Sequence, residues 1–176
     1  MYKWQRYQYK IVRNQEDERI PFSVTKPDLA ADLFTEHAKD NDHESFWVIA
    51  LDAQNNALGV EEIYRGSATG TAVRAAEVFR SAIIMNAVGM VVIHNHPSGS
   101  LEASPEDLRL TGDLVRAARL LDIELLDHLV VNGKSEWMSI RAEHKELWYM
   151  DIPDVGGSDH SHQIAATLKD VAEILS

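Results

Sequence analysis

His94 and His96 are the residues of this chain whose type and spacing carry the clearest chemistry. On an extended strand, residues two apart project to the same side, so both imidazoles face one cavity. They close the apolar run MVVIHNHP, immediately before a Pro-Ser-Gly turn, where side chains emerge from a sheet into a cleft. Two imidazoles presented in this way make half of a tetrahedral zinc site. Asp107 follows in the first turn of a helix pattern that opens with Ser104-Pro105-Glu106-Asp107. Ser104 there reads as N-cap, Pro105 as N1 and Asp107 as N3, so this pair also reads as an ordinary helix start. As a third ligand, Asp107 would leave a fourth metal position open to water, which catalytic sites need. A metal-activated water further needs a carboxylate that is not itself a ligand. Glu44, Glu61 and Glu62 are the candidates, and the residue pattern alone does not separate them.

The elements that must position these groups follow from periodicity and punctuation. FWVIALD, just after Glu44, reads as a strong strand, QNN as a turn and ALGVEEIYRG as its hairpin partner. The run of Val and Ile in MVVIHNHP suggests a strand buried on both faces. A long helix is expected from Ser104 to about Leu121, with Leu108, Thr111, Leu114 or Val115, Ala118 and Leu121 on its core face. IELLDHLVV is another strand, NGKSE a turn, and WMSIRAEHKELW a last strand edge with trailing helical residues. Upstream, helices are expected over Lys26 to Lys39, lined by Leu29, Leu33, Phe34 and Ala38, and over Ala72 to Asn86, lined by Val73, Ala76, Phe79 or Arg80, Ile83 and Ile84. The first twelve residues and the segment around Ile20–Val24 read as further strands. Strands interleaved with helices indicate an α/β domain of the α+β type, a mixed central sheet flanked by helices, over residues 1–150. Residues 151–162 read as a linker and 163–176 as an amphipathic helix with Ile164, Leu168, Val171 and Leu175 aligned, a packing or partner-binding element.

Length and composition narrow the function classes. A chain of 176 residues can hide roughly 70% of its unfolded surface, and 45% apolar residues are enough to fill a core. The absence of cysteine removes disulfide frameworks, zinc fingers and cysteine nucleophiles. No apolar run approaches the ~20 residues needed to span a bilayer, and the basic N-terminus lacks the apolar stretch of a signal peptide, so a cytoplasmic protein without a membrane partner is expected. With 17 basic against 28 acidic residues the formal net charge is -11. Such a surface repels phosphate backbones and argues against nucleic acid as a partner.

His94-Asn95-His96-Pro97 followed by Ser104-x-x-Asp107 resembles the JAMM (JAB/MPN) metalloprotease motif, His-x-His-Pro then Ser-x-x-Asp. HNHPSG, TGDLVRAARLLDIELLDHLVV and EEIYRGSATGTAVRAAEVFRSAIIMNA are similar to the RadC branch of that family, over roughly residues 40–147. The resemblance implies a cytidine-deaminase-like sheet architecture and one zinc ion per chain held by His94, His96 and Asp107. It implies Ser104 as the group that stabilises the oxyanion. In the family the catalytic glutamate directly precedes an upstream hydrophobic strand, and Glu44 matches that placement better than Glu61 or Glu62. The activity implied is hydrolysis of an amide in a protein or peptide by a metal-activated water, although the family also contains members that bind partners without catalysis. Full-length RadC-like proteins usually carry a helix-hairpin-helix region first; the residues before Glu44 are too few and too little basic for one. The historical link of the RadC name to DNA repair gains no support from this charge, and a metal-dependent nuclease would require salt-dependent DNA binding.

The remaining histidines have plainer readings. Asp127-His128 opens a strand, and His128 is expected either as a hydrogen-bonded core residue or as support for the site. His160-Ser161-His162 repeats the His-x-His spacing inside a Gly-containing linker and reads as solvated. Tyr2, Trp4, Tyr7 and Tyr9 read as an edge strand packing on the sheet.

Overall fold

The alternation of apolar residues in the first hairpin and the continuous apolar run before Pro97 build one mixed sheet. A computed structural model describes residues 23–38, 42–66 and 73–149 of the protein. Its elements are α1 (Pro27–Ala38), β1 (Glu44–Leu51), β2 (Ala57–Gly66), α2 (Ala75–Ile84), β3 (Gly89–Asn95), α3 (Pro105–Leu121), β4 (Glu124–Val131), β5 (Trp137–Ser139), α4 (Ile140–Glu143) and α5 (Glu146–Tyr149). The strand order is β2-β1-β3-β4-β5. β1 pairs antiparallel with β2 and β3, β3 pairs parallel with β4 through the α3 crossover, and β5 returns antiparallel on β4. This is the expected α/β arrangement. The expected N-terminal strand, the linker at 151–162 and the helix at 163–176 lie outside the described residues; of the strand expected around Ile20–Val24, the described part makes an isolated bridge from Ser23 to Asn56.

Every residue of β3 is buried, because helices cover both faces of the sheet. On one face Phe46, Val48, Ala50, Met90, Val92 and Leu125 pack under α2 and α3. On the other, Trp47, Ile49, Leu51, Val91, Ile93, Leu129 and Val131 pack under α1. Successive strand residues alternate between these layers, so the even-numbered residues of β3, His94 included, belong to the α2/α3 layer.

β4 departs from simple alternation. Met90 pairs with Leu125 but Val91 pairs with Asp127, so Leu126 is an extra residue in β4. A bulge of this kind shifts every later side chain by one face. Gly89 makes room for it: a Cβ there would stand 2.7 Å from Leu126 Cδ1.

Two helix faces differ from the periodicity. α1 buries Ala30, Ala31, Phe34 and Ala38, while Leu29 and Leu33 are exposed. α2 buries Val78, Phe79, Ser81 and Ala82, and Ile83 is 54% exposed. In α1 the small Ala30, Ala31 and Ala38 let the backbone close on the sheet beside Phe34, and Leu29 and Leu33 turn outward. α3 follows expectation through Thr111, Leu114, Val115 and Ala118, but Leu121 at its end is exposed.

Candidate metal centre

β3 ends under the N-terminus of α3, and this junction gathers the chemically active residues. His94 Nε2 and His96 Nε2 lie 3.0 Å apart. Asp107 faces both: Oδ1 is 3.4 Å from His94 Nε2 and Oδ2 is 3.5 Å from His96 Nε2. One donor atom from each residue lies within 4.8 Å of the others, a group able to hold a metal ion. His94 is wholly buried and Asp107 nearly so. The Phe46 ring stacks on His94 at a centroid distance of 6.2 Å and meets His128 edge-on at 5.5 Å, closing the apolar side of the site.

Ser104 and Asp107 form the expected helix cap, and the same Asp107 carboxylate faces the two imidazoles. Asp107 N–H donates to Ser104 Oγ at 3.1 Å, while Asp107 Oδ2 accepts from Ser104 N–H at 2.7 Å and from Ser104 Oγ–H at 2.6 Å. The capping box therefore aims the carboxylate. Its remaining lone pairs point at the imidazoles.

The electrostatics follow from this packing. Burial alone would raise the Asp107 carboxyl, but the neighbouring imidazoles of His94 and His96 and the hydrogen bonds from Ser104 hold it far below the usual carboxylate range. His96 is raised above an ordinary imidazole, chiefly by its contact with Asp107 and against its burial, with smaller contributions from Ser100 and the charge of Glu44. Burial drives His128 well below the ordinary value, with the charge of His94 acting in the same direction.

Glu44 is the first residue of β1. It lies two residues before the Phe46–His94 pair, at the end of β1 nearest His96, and it shares the face of Phe46. Asn95 holds the chain on either side of it: Asn95 Oδ1 accepts from Ser45 N–H at 2.7 Å, and Asn95 Nδ2 donates to the His43 carbonyl at 3.0 Å. The other two glutamates sit farther along the hairpin. Glu61, opposite Val48, is tied to Arg80 at 2.6 Å, and Glu62, opposite Trp47, is 3.9 Å from Arg65.

Residues 24–146 match the family of the RadC-like JAB domain. The chain belongs to this family. Among curated relatives it is 36% identical over 132 residues to a UPF0758 protein of Chloroflexus aggregans, covering 75% of this chain and 56% of that one. It is 40% identical over 120 residues to a UPF0758 protein of Roseiflexus castenholzii, covering 68% and 51% respectively. A UPF0758 protein of Trichodesmium erythraeum is 40% identical over 133 residues, covering 76% and 54%. The chain thus spans about half the length of these relatives. As a RadC-like JAB domain it is a member of the JAB/MPN superfamily, which includes metallohydrolases.

Two supports of the candidate centre, Asn95 and Thr111, carry no ligand signature in the sequence. Asn95 was hidden between two better-known ligand types. Thr111, assigned only to the core face of α3, stands one helical turn after Asp107 and reaches the same cluster. Among the described residues, no helix is long and apolar enough to cross a membrane.

Proposed function

We propose that this RadC-like JAB domain is a zinc-dependent hydrolase of the JAMM type, a metallopeptidase or isopeptidase that cleaves an amide bond in a protein or peptide substrate. The observation that carries this reading is the convergence of His94, His96 and Asp107 donor atoms at one buried point. Two imidazoles and a carboxylate suit zinc, and three protein ligands leave a position free. Bound there, zinc would supply Lewis-acid polarisation of a carbonyl and activation of a water.

The chain's own groups complete the chemistry. Asp107 stays ionised throughout the working pH range. Glu44 is the general base: it takes the proton of the attacking water and returns it to the departing amine. Asn95 fixes the peptide groups flanking Glu44, so the carboxylate approaches the His96 side of the site with little freedom lost at the moment of reaction. Ser104 keeps Asp107 through its N–H while its hydroxyl turns to donate to the oxyanion.

Metal content by plasma mass spectrometry tests the proposal on the wild type, His96→Ala and Asp107→Ala. One zinc per chain, absent from both variants, is expected, together with amide cleavage that Glu44→Gln abolishes. A wild-type protein that takes up no zinc even after its addition overturns the hydrolase reading.

A further inference from the structure

Behind the ligands runs a chain of buried hydrogen bonds with a fixed direction. Thr111 Oγ1 lies 2.6 Å from the Asp107 carbonyl oxygen and 2.7 Å from His128 Nδ1. His128 Nε2 lies 2.8 Å from His94 Nδ1. A carbonyl has no proton to offer, so at 2.6 Å the single hydroxyl proton of Thr111 must point at it. Thr111 is then an acceptor toward His128, which must carry its proton on Nδ1. His128 is wholly buried against the Phe46 ring. Its ring nitrogens meet only Thr111 and His94, with no carboxylate paired to them among the described residues, so it is neutral. A neutral imidazole with a proton on Nδ1 has a bare Nε2. That nitrogen can only accept, so His94 donates from Nδ1. In neutral His94 the lone pair is therefore on Nε2, the atom that faces His96 and Asp107.

We infer that Thr111 and His128 are positioning residues that lock His94 in the Nδ1–H tautomer and so present its Nε2 lone pair to a metal. The relay starts at the backbone of Asp107, one ligand, and ends at His94, another. Folding the first turn of α3 thus sets the protonation pattern of the β3 histidine. The inference rests on His94 being a ligand, as proposed above. It adds that ligand readiness is built into the protein before any metal arrives.

Replacing Thr111 with Val removes the acceptor and preserves the shape. His128 is then free to move its proton to Nε2, which makes it a donor toward His94 Nδ1 and forces the His94 proton onto Nε2, across the site. Two measurements on the full chain test this. In long-range ¹H–¹⁵N spectra of metal-free protein at mildly alkaline pH, wild type and Thr111→Ser should show both His94 and His128 as Nδ1–H. Thr111→Val should show loss of that state. Zinc affinity, measured by competition with a chromophoric chelator, should fall by about 10–100-fold in Thr111→Val, the usual cost of losing a ligand's outer partner, and recover in Thr111→Ser. An Nε2–H His94 in the wild type overturns the inference, as does unchanged affinity in Thr111→Val or equal loss in Thr111→Ser. If Thr111→Val does not fold, His128→Gln, which keeps an acceptor for His94, and His128→Phe, which keeps none, make the same comparison. A wild type that binds no zinc refutes the hydrolase proposal, while the metal-free spectra still decide the tautomer.

Discussion

Asp127 and His128 are neighbours on β4, and each anchors a buried polar network in a different layer. Asp127 accepts from Ser139 Oγ at 2.7 and 3.0 Å, from the His128 N–H at 2.7 Å and from the Arg141 N–H at 3.2 Å. Ser139 Oγ in turn accepts from Ala142 N–H and caps α4. That network consumes its own donors and acceptors; it ties β5 and α4 to the sheet. The His128 network runs instead toward His94, whose Nε2 converges with donor atoms of His96 and Asp107. The two Nε2 atoms lie 3.0 Å apart, and the Asp107 carboxylate stands 3.4 and 3.5 Å from them. A buried polar cluster that closes on itself is architecture, and one whose donor atoms converge is a group able to hold a metal ion.

Changes on the two sides of this comparison should separate cleanly. Glu44→Gln should lower amide cleavage by about 10³-fold, within the range of lost general-base catalysis, while zinc content and melting temperature stay at wild-type values. Asp127→Ala should do the reverse, costing about 2–4 kcal/mol by stranding buried donors, seen in urea unfolding, with zinc still bound by the folded fraction. Asn95→Ala should fall between, lowering kcat about tenfold with KM little changed, since it frees the Glu44 backbone and leaves every ligand in place.

Acid sharpens the contrast. His96 sits above the ordinary imidazole value, about 6.5, so protons should displace zinc as pH falls through that higher value. Zinc titrations at stepped pH will show the onset. Asp127 is raised by burial, which means the folded state holds its proton more tightly than the unfolded one. Its contribution is fully present below the unfolded pKa and is lost as pH rises through the folded one. The stability difference between wild type and Asp127→Asn should therefore shift in favour of wild type as pH falls through the folded pKa of Asp127. The smallest effect expected is at Ser81, whose buried hydroxyl has no partner among the described residues. Ser81→Ala should stabilise by about 0.5–1 kcal/mol, read as a raised melting temperature.

The candidate metal centre was legible wherever it rested on short spacing. His94 and His96 share a side because strands repeat every two residues, and Ser104 and Asp107 face each other because helices begin with caps. The supports were less visible. Asn95 acts across a strand pair, on a segment some fifty positions earlier in the chain. The α1 stripe misled because Leu29 and Leu33 fit the helical period, yet Ala30, Ala31, Phe34 and Ala38 are the residues that face the sheet. The face of His128 could not be read at all. Counting alternately from Leu125 assigns the α2/α3 layer to Asp127, and only the extra residue Leu126 gives that place to His128.

That single residue behaves like a letter inserted into a reading frame. Upstream of Leu126 the strand spells one arrangement of inside and outside; downstream every side chain is read from the opposite layer. Pairing Leu126 regularly opposite Val91, with no bulge, would leave the same residues in the same order. A carboxylate would then stand where His94 now finds an imidazole, and the imidazole would stand among Ser139 and Arg141. The chemistry of the pocket is thus held in a register as much as in a composition, and Gly89, by leaving space for the Leu126 side chain, keeps the frame.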